Sequence, residues 1–281
     1  MRILITGADG RLGKCLQSIL AQHTIIPASK SELDITDFAA ARTFVKSAAP
    51  ELVIHPAAWT DVEGCARDPE HAVLVNGFGA QHVALAAAEL GAAFLYISSN
   101  EVFNGRASQP YREYDATAPI NPYGYSKWVG EQTVMRVNPR HYIVRTAWLF
   151  AHGGKNFIQA ILNAANAGKA LRVVINEIAN PTYTDDLAAA IAQLVETERF
   201  GIYHFVNEGV CSRYEFARYA LDQCGYAETP IQPISSQMWQ RASTPPDYAP
   251  LANHAGKTVG ITLRPWREAI DAFLAKEGLN K

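Results

Sequence analysis

The chain is poor in the features that would assign it to several classes at once. It has four cysteines in 281 residues, Cys15, Cys65, Cys211 and Cys224. They are scattered, with no C-x-x-C pair, which argues against a zinc site and supplies no disulfide framework. It also lacks an excess of either charge. The 25 basic and 27 acidic residues leave a net charge of −2, so there is no electrostatic footprint for nucleic acid or an anionic membrane. The opening MRILITG is too short an apolar run for a signal peptide or a membrane span. Internal repeats and low-complexity tracts are absent. A reducing, cytoplasmic setting is therefore expected. What is present, 48% hydrophobic and 19% charged residues, is an ordinary globular composition. The length suits one large domain or two unequal ones.

RILIT reads as a short buried strand and runs into G-A-D-G-R-L-G, after which KCLQSILAQ continues as a helix. Strand, glycine turn and helix is the context a dinucleotide fingerprint requires. Gly7 permits the tight turn, Gly10 lets the backbone approach a pyrophosphate, and Gly13 lets helix and strand pack closely. Arg11 and Leu12 open the helix, whose free N–H groups suit phosphate oxygens. The spacing is G-x-x-G-x-x-G. A nucleotide-triphosphate loop is excluded, because Gly7 lies one residue too far back and Cys15 stands where Ser or Thr is required.

Strands and helices then alternate through TIIPA, TDFAAARTFVKSAA, ELVIHPAA, EHAVLVNGFGAQHVALAAAELG, AAFLYISS and HYIVRTAWLF. This pattern predicts an α/β fold, a Rossmann-type doubly wound parallel sheet with ligands at the carboxyl ends of its strands. Ser29 and Lys30 end the second strand, where NAD-preferring enzymes usually carry a carboxylate. A hydroxyl and an ammonium suit a 2′-phosphate, so NADPH is expected, with NADH as the alternative. Asp34 and Ile35 follow; Asp34 is expected to meet the adenine or to cap the next helix. Ala57 and Ala58, after the third strand, complete the cofactor set.

In NPYGYSKWVGE, Asn121-Pro122 is a helix start, and a helix is expected from about Pro122 to about Val137. Tyr123 stands four residues before Lys127 and shares its face; Tyr125 stands two before and points away. A nearby ammonium is expected to lower the Tyr123 pKa and make it a proton donor to a carbonyl. Alone this pair is weak; it needs a cofactor site and a third group. Ser98-Ser99 closes the fourth strand, where a hydroxyl would face the cofactor and supply that group.

With Gly7, Gly10, Gly13, a strand-end serine, Tyr123 and Lys127 together, the sequence resembles the extended short-chain dehydrogenase/reductases, and within them the dTDP-4-dehydrorhamnose reductase family. The likeness runs through ITGADGRLG, ELVIHPAAWTDVE, YISSNEVFNG, APINPYGYSKWVGE, IVRTAWLF, GGKNFI, ANPTYTDDLA and LRPWREAI. It implies NADPH-dependent reduction of a sugar C4 carbonyl, with Tyr123 the proton donor, Ser99 polarising the oxygen and Lys127 also holding the nicotinamide ribose. It implies a nucleotide-sugar substrate met by Ser99, Asn100, Glu101, Trp148, Asn156 and Thr182. No catalytic metal and no nucleic-acid or membrane partner is expected; a homodimer is compatible with the resemblance. The family commonly reads Ser-Thr-Asp-Tyr where this chain reads Ser98-Ser99-Asn100-Glu101, and an Asn-Ala pair where it reads His55-Pro56. These departures leave the reduction intact and bear on which sugar is taken. An epimerase or reductase for another nucleotide sugar, or a non-catalytic NADP(H)-binding regulatory subunit, are the alternatives.

Residues 1–150 are expected to form the dinucleotide-binding domain, with a helix near 184–198 packing back onto it. Residues 151–281 are expected to form mainly a smaller mixed α/β substrate lobe. Prolines between Pro230 and Pro250 make that part loop-rich.

Overall fold

Aliphatic, β-branched runs with few polar side chains make strands that are buried on both faces. β1 (Arg2–Thr6), β2 (Thr24–Ala28), β3 (Leu52–His55), β4 (Ala93–Ser99) and β5 (His141–Thr146) come from such runs. With Gly201–His204 they form one parallel sheet of six strands, in the order Gly201–His204, β5, β4, β3, β1, β2. The computed structural model describes residues 1–154 and 156–279. The strand order reverses between β1 and β3, and the carboxyl ends of those two strands therefore border the crevice where such sheets bind ligands.

The connecting helices are α1 (Arg11–Ile19), α2 (Phe38–Ala48), α3 (Val62–Arg67), α4 (Pro69–Val73), α5 (Ala80–Glu89) and α6 (Pro122–Val137). Side chains alternate along each strand, so the sheet serves two cores. Leu4, Val53, Phe94 and Ile143 pack under α2, α5 and α6, against Val45, Val83 and Val134. Ile3, Ile54, Leu95 and Val144 pack on the other face, against Leu12 and Leu16 of α1 and Leu187, Ile191 and Leu194 of the helix Thr184–Val195. A further core of Phe150, Ile158, Phe216, Trp266 and Phe273 holds the later helices together.

Three elements differ from the expectation. The long helical run after Glu70 is broken by a π-helix, Leu74–Gly79. Its glycines sit tightly: a Cβ on Gly77 would lie 2.8 Å from Val129, and one on Gly79 2.9 Å from Ile35. The widened turn gives the Asn76 carbonyl to the Tyr96 hydroxyl at 2.8 Å. The run HYIVRTAWLF splits because Trp148 adopts φ 42°, and Leu149–Phe150 leaves the sheet to pair with Thr182–Tyr183. The edge strand Gly201–His204 was not evident in the sequence. No helix of the described residues is long and apolar enough to cross a membrane.

Candidate active site

The glycine turn lies at the strand-order reversal. Gly7 has φ 57°, and a Cβ there would stand 2.9 Å from the Ala57 backbone. A Cβ on Gly13 would stand 2.5 Å from the Gly7 carbonyl, so α1 meets β1 at a distance only glycine allows. His55 ties the two strand ends together: its Nδ1 and the Thr6 hydroxyl are 2.8 Å apart. Burial, then the Lys127 charge, push the His55 pKa down to about 3, so the ring is neutral. No side chain caps α1, and no acidic residue stands in its first turn. Its N-terminus is thus open to an anion, and Gly7, Gly10, Arg11, Leu12 and Gly13 line the cleft beside it. An uncapped helix start approached through glycines fits a dinucleotide pyrophosphate.

That cleft, about 640 Å³, continues over the end of β4 to Ser99, Tyr123 and Lys127. Asn121 caps α6, its Oδ1 accepting the Gly124 N–H at 2.8 Å, and so sets the register that brings Tyr123 and Lys127 to the cleft. Tyr125 is 48% exposed, on the far side of the helix. Lys127 is 2% exposed, its ammonium 4.1 Å from the centre of the Tyr96 ring. Burial lowers its pKa to about 7, against the pull of Glu131. Behind it Glu131 is fully buried, accepting the Ser98 hydroxyl at 2.6 Å and two Arg145 N–H groups at 2.8 Å. This bidentate pair fastens β4 and β5 to α6 just below the serines.

The expected lowering of the Tyr123 pKa is not what the structure gives. Burial, then the nearby Glu101 charge, push it up, and the Ser99 hydroxyl draws it back. Lys127 is not among the principal causes, because an ammonium that titrates near neutrality provides only part of a charge. Tyr123 therefore holds its proton firmly at neutral pH.

At the end of β4, Ser99 Oγ accepts the Glu101 N–H at 3.2 Å and donates to Asn100 Oδ1 at 3.3 Å. Asn100 Nδ2 donates to the Ala249 carbonyl at 3.1 Å. Glu101 lines the cleft, and burial raises its pKa. Trp148 also lines the cleft. Arg213 covers its indole, with the guanidinium carbon 3.6 Å from the ring centre. Neither Arg213 nor the buried Glu177 beside it was evident as a site residue. The Ser212-x-x-Glu215 capping box marks Arg213 as a first helical residue without revealing what it faces.

Of the other candidates, all but Ala58 lie outside the lining of this cleft. Ser29 gives both its N–H and its hydroxyl to Glu32, at 2.8 and 2.7 Å, and Lys30 is exposed beside it. Asp34 bonds Thr36, while Asp37 and not Asp34 caps α2. Ile35 is buried in the core. Ala58 lines the cleft, and Ala57 backs the Gly7 turn. Asn156 caps the helix Phe157–Asn166 through Gln159 N at 2.9 Å. Thr182 is fully buried and donates to the Asn180 carbonyl; Thr184 lines the cleft instead.

A doubly wound sheet with a glycine-turn cradle, and a serine, a tyrosine and a lysine gathered at its carboxyl edge, defines an oxidoreductase of the extended short-chain dehydrogenase/reductase class. Comparison with known proteins narrows this. Residues 1–278 match the family model described as the RmlD substrate binding domain, and the chain belongs to that family, the dTDP-4-dehydrorhamnose reductases. It is 38% identical to the spore coat polysaccharide biosynthesis protein SpsK of Bacillus subtilis, over 97% of this chain and 96% of that protein. It is 37% identical to a dTDP-4-dehydrorhamnose reductase of Mycolicibacterium smegmatis, over 99% of this chain and 86% of that one. The crystal structure of a dTDP-4-dehydrorhamnose reductase from Bacillus anthracis in complex with NADP superposes with a TM-score of 0.93 at 35% identity, covering 98% of this chain and 99% of that one.

Proposed function

We propose that the protein reduces the C4 keto group of a nucleotide sugar with NADPH, most simply dTDP-4-dehydro-L-rhamnose to dTDP-L-rhamnose. The observation that carries this is the meeting of Ser99, Tyr123 and Lys127 in one cleft with the glycine cradle. The relatives named dTDP-4-dehydrorhamnose reductase, and the NADP bound by one of them, support the choice of substrate and cofactor.

In this proposal the open start of α1 and the Gly7–Gly13 turn hold the pyrophosphate, and Lys127 holds the nicotinamide ribose. The nicotinamide, when bound, supplies the hydride chemistry. Ser99 donates a hydrogen bond to the sugar oxygen as negative charge develops on it, a stabilisation that costs no reorganisation at the moment of reaction. Tyr123, with its raised pKa, keeps its proton until that oxygen is basic enough to take it. With Ser29 engaged by Glu32, preference for a 2′-phosphate falls mainly on Lys30. The later core, with Trp148 and Arg213 at its edge, forms the substrate lobe. A cytoplasmic setting fits the scattered placement of the four cysteines, which have no C-x-x-C pair.

The test is NADPH oxidation, followed at the nicotinamide absorbance, with dTDP-4-dehydro-L-rhamnose generated in situ. Turnover dependent on that sugar is the expected result. NADPH binding with no turnover of any 4-keto nucleotide sugar would overturn the proposal in favour of a regulatory subunit.

A further inference from the structure

Glu101 and Arg213 both line the sugar end of the cleft, and each has hydrogen-bonding capacity left over. Glu101 Oε2 accepts Asn121 Nδ2 at 2.6 Å; Oε1 has no hydrogen bond among the described residues. The Arg213 guanidinium is held flat against Trp148, 3.6 Å from its ring centre, with Phe157 at 5.5 Å. Its Nε stands 3.7 Å from Glu177, beyond hydrogen-bond range, and Glu177 is also paired with Arg241. Among the described residues no acceptor takes an N–H of this guanidinium.

The backbone around this wall is committed to it. Trp148 sits at φ 42°, a left-handed conformation that an aromatic residue adopts only when its surroundings force it. Asn121 anchors Glu101 while also capping α6 and donating to the Thr244 carbonyl at 3.2 Å. Net charge argues against an anion here: Glu101 and Glu177 offset Arg213 and Arg241, leaving no surplus to attract a phosphate group.

A carboxylate only accepts hydrogen bonds, and a guanidinium only donates them. A hydroxyl satisfies both at once: its proton goes to the carboxylate, and its oxygen receives the guanidinium N–H. A hydrogen atom or a methyl group in that place would strand two charged groups against a half-buried wall. We propose that Glu101 and Arg213 together form a hydroxyl-selecting subsite that sets which 4-keto nucleotide sugar this enzyme reduces. This rests on the reductase activity proposed above and specifies its substrate: the sugar carries a hydroxyl at the position between the two side chains.

The experiment is a cross of substrates and variants, read as kcat/KM with NADPH. The substrates are a 4-keto nucleotide sugar and analogues lacking one hydroxyl each. The proteins are wild type, Glu101→Ala and Arg213→Met. NADPH titration and thermal melting of each protein confirm that the cradle and fold persist; Asn121 keeps its bonds to Gly124 and Thr244 when Glu101 is shortened. One deoxy analogue is expected to fall by about 1000-fold or more with wild type, since sites built around a substrate hydroxyl reject its absence strongly. On the full sugar each variant should lose about 100-fold. On that analogue each should lose less than about threefold, so the discrimination collapses. Equal losses on both sugars would overturn the subsite. Should Arg213→Met not fold, Glu101→Ala alone decides by the same criterion. Should wild type bind NADPH yet reduce none of the sugars, the reductase proposal fails and this one with it, an outcome distinct from reduction without hydroxyl selection.

Discussion

Replacing Lys127 with Met should stabilise the cofactor-free protein at neutral pH while removing its activity. Met keeps most of the stem volume and drops the charge. Lys127 is 2% exposed, and burial takes its pKa from 10.5 to about 7. Each decade of such a shift corresponds to about 1.4 kcal/mol. The sign follows from proton binding. Between about pH 7 and 10.5 the unfolded chain holds a proton on this lysine that the folded chain lacks. Stability from this group therefore rises with pH across that window, and the penalty is largest below it. At pH 7 the penalty is about 4 kcal/mol, and by pH 9.5 about 1 kcal/mol. Urea denaturation of wild type and Lys127→Met at those two pH values should show the variant more stable by up to these amounts, with the gap closing at high pH. A variant less stable than wild type at pH 7, or a gap that does not change with pH, would refute the assignment of Lys127 as a desolvated lysine.

Three further outcomes are expected. Tyr123→Phe should lower kcat by about 100-fold or more with NADPH binding nearly intact, whereas Tyr125→Phe should stay within about twofold; like behaviour of the two would sink the helical-face assignment. Lys30→Ala should weaken NADPH more than NADH in fluorescence titrations, and equal losses would remove Lys30 from the 2′-phosphate site. Gly13→Ala should cost at least about tenfold in NADPH affinity, because its Cβ would lie 2.5 Å from the Gly7 carbonyl. Affinity unchanged within about twofold would mean that α1 can retreat from β1 freely.

The parts of the site legible in the sequence are those fixed by local geometry. The Gly7–Gly13 turn and the i,i+4 pairing of Tyr123 with Lys127 depend only on a strand-turn-helix and on one helical register, and α6 begins at Pro122 as its capping residues imply. The pKa of Tyr123 was not legible, because burial and the Glu101 charge come from packing across elements. Arg213, Glu177 and Arg241 were missed for the same reason: three separate segments supply one wall. The π-turn at Leu74–Gly79 and the break at Trp148 escaped a reading of hydrophobic period, which registers neither a widened turn nor a left-handed residue. Asn156 and Asp34 illustrate the reverse hazard: a motif position can be engaged in its own local turn or cap.

The placement of Thr184–Val195 and Gly201–His204 governs when the molecule can acquire its first stable core during synthesis. With only the first 150 residues made, α1 lacks Leu187, Ile191 and Leu194 beside it, and β5 is left as an open edge. The sheet cannot be sealed until roughly the two-hundredth residue has left the ribosome, at about 5–20 residues per second. By then the chain between Phe150 and Thr184 has already been produced as an excursion from the sheet. The sheet that carries the glycine turn can therefore close while Arg213, Arg241 and the core around Trp266 and Phe273 are still unmade, so the two halves of the cleft are acquired one after the other.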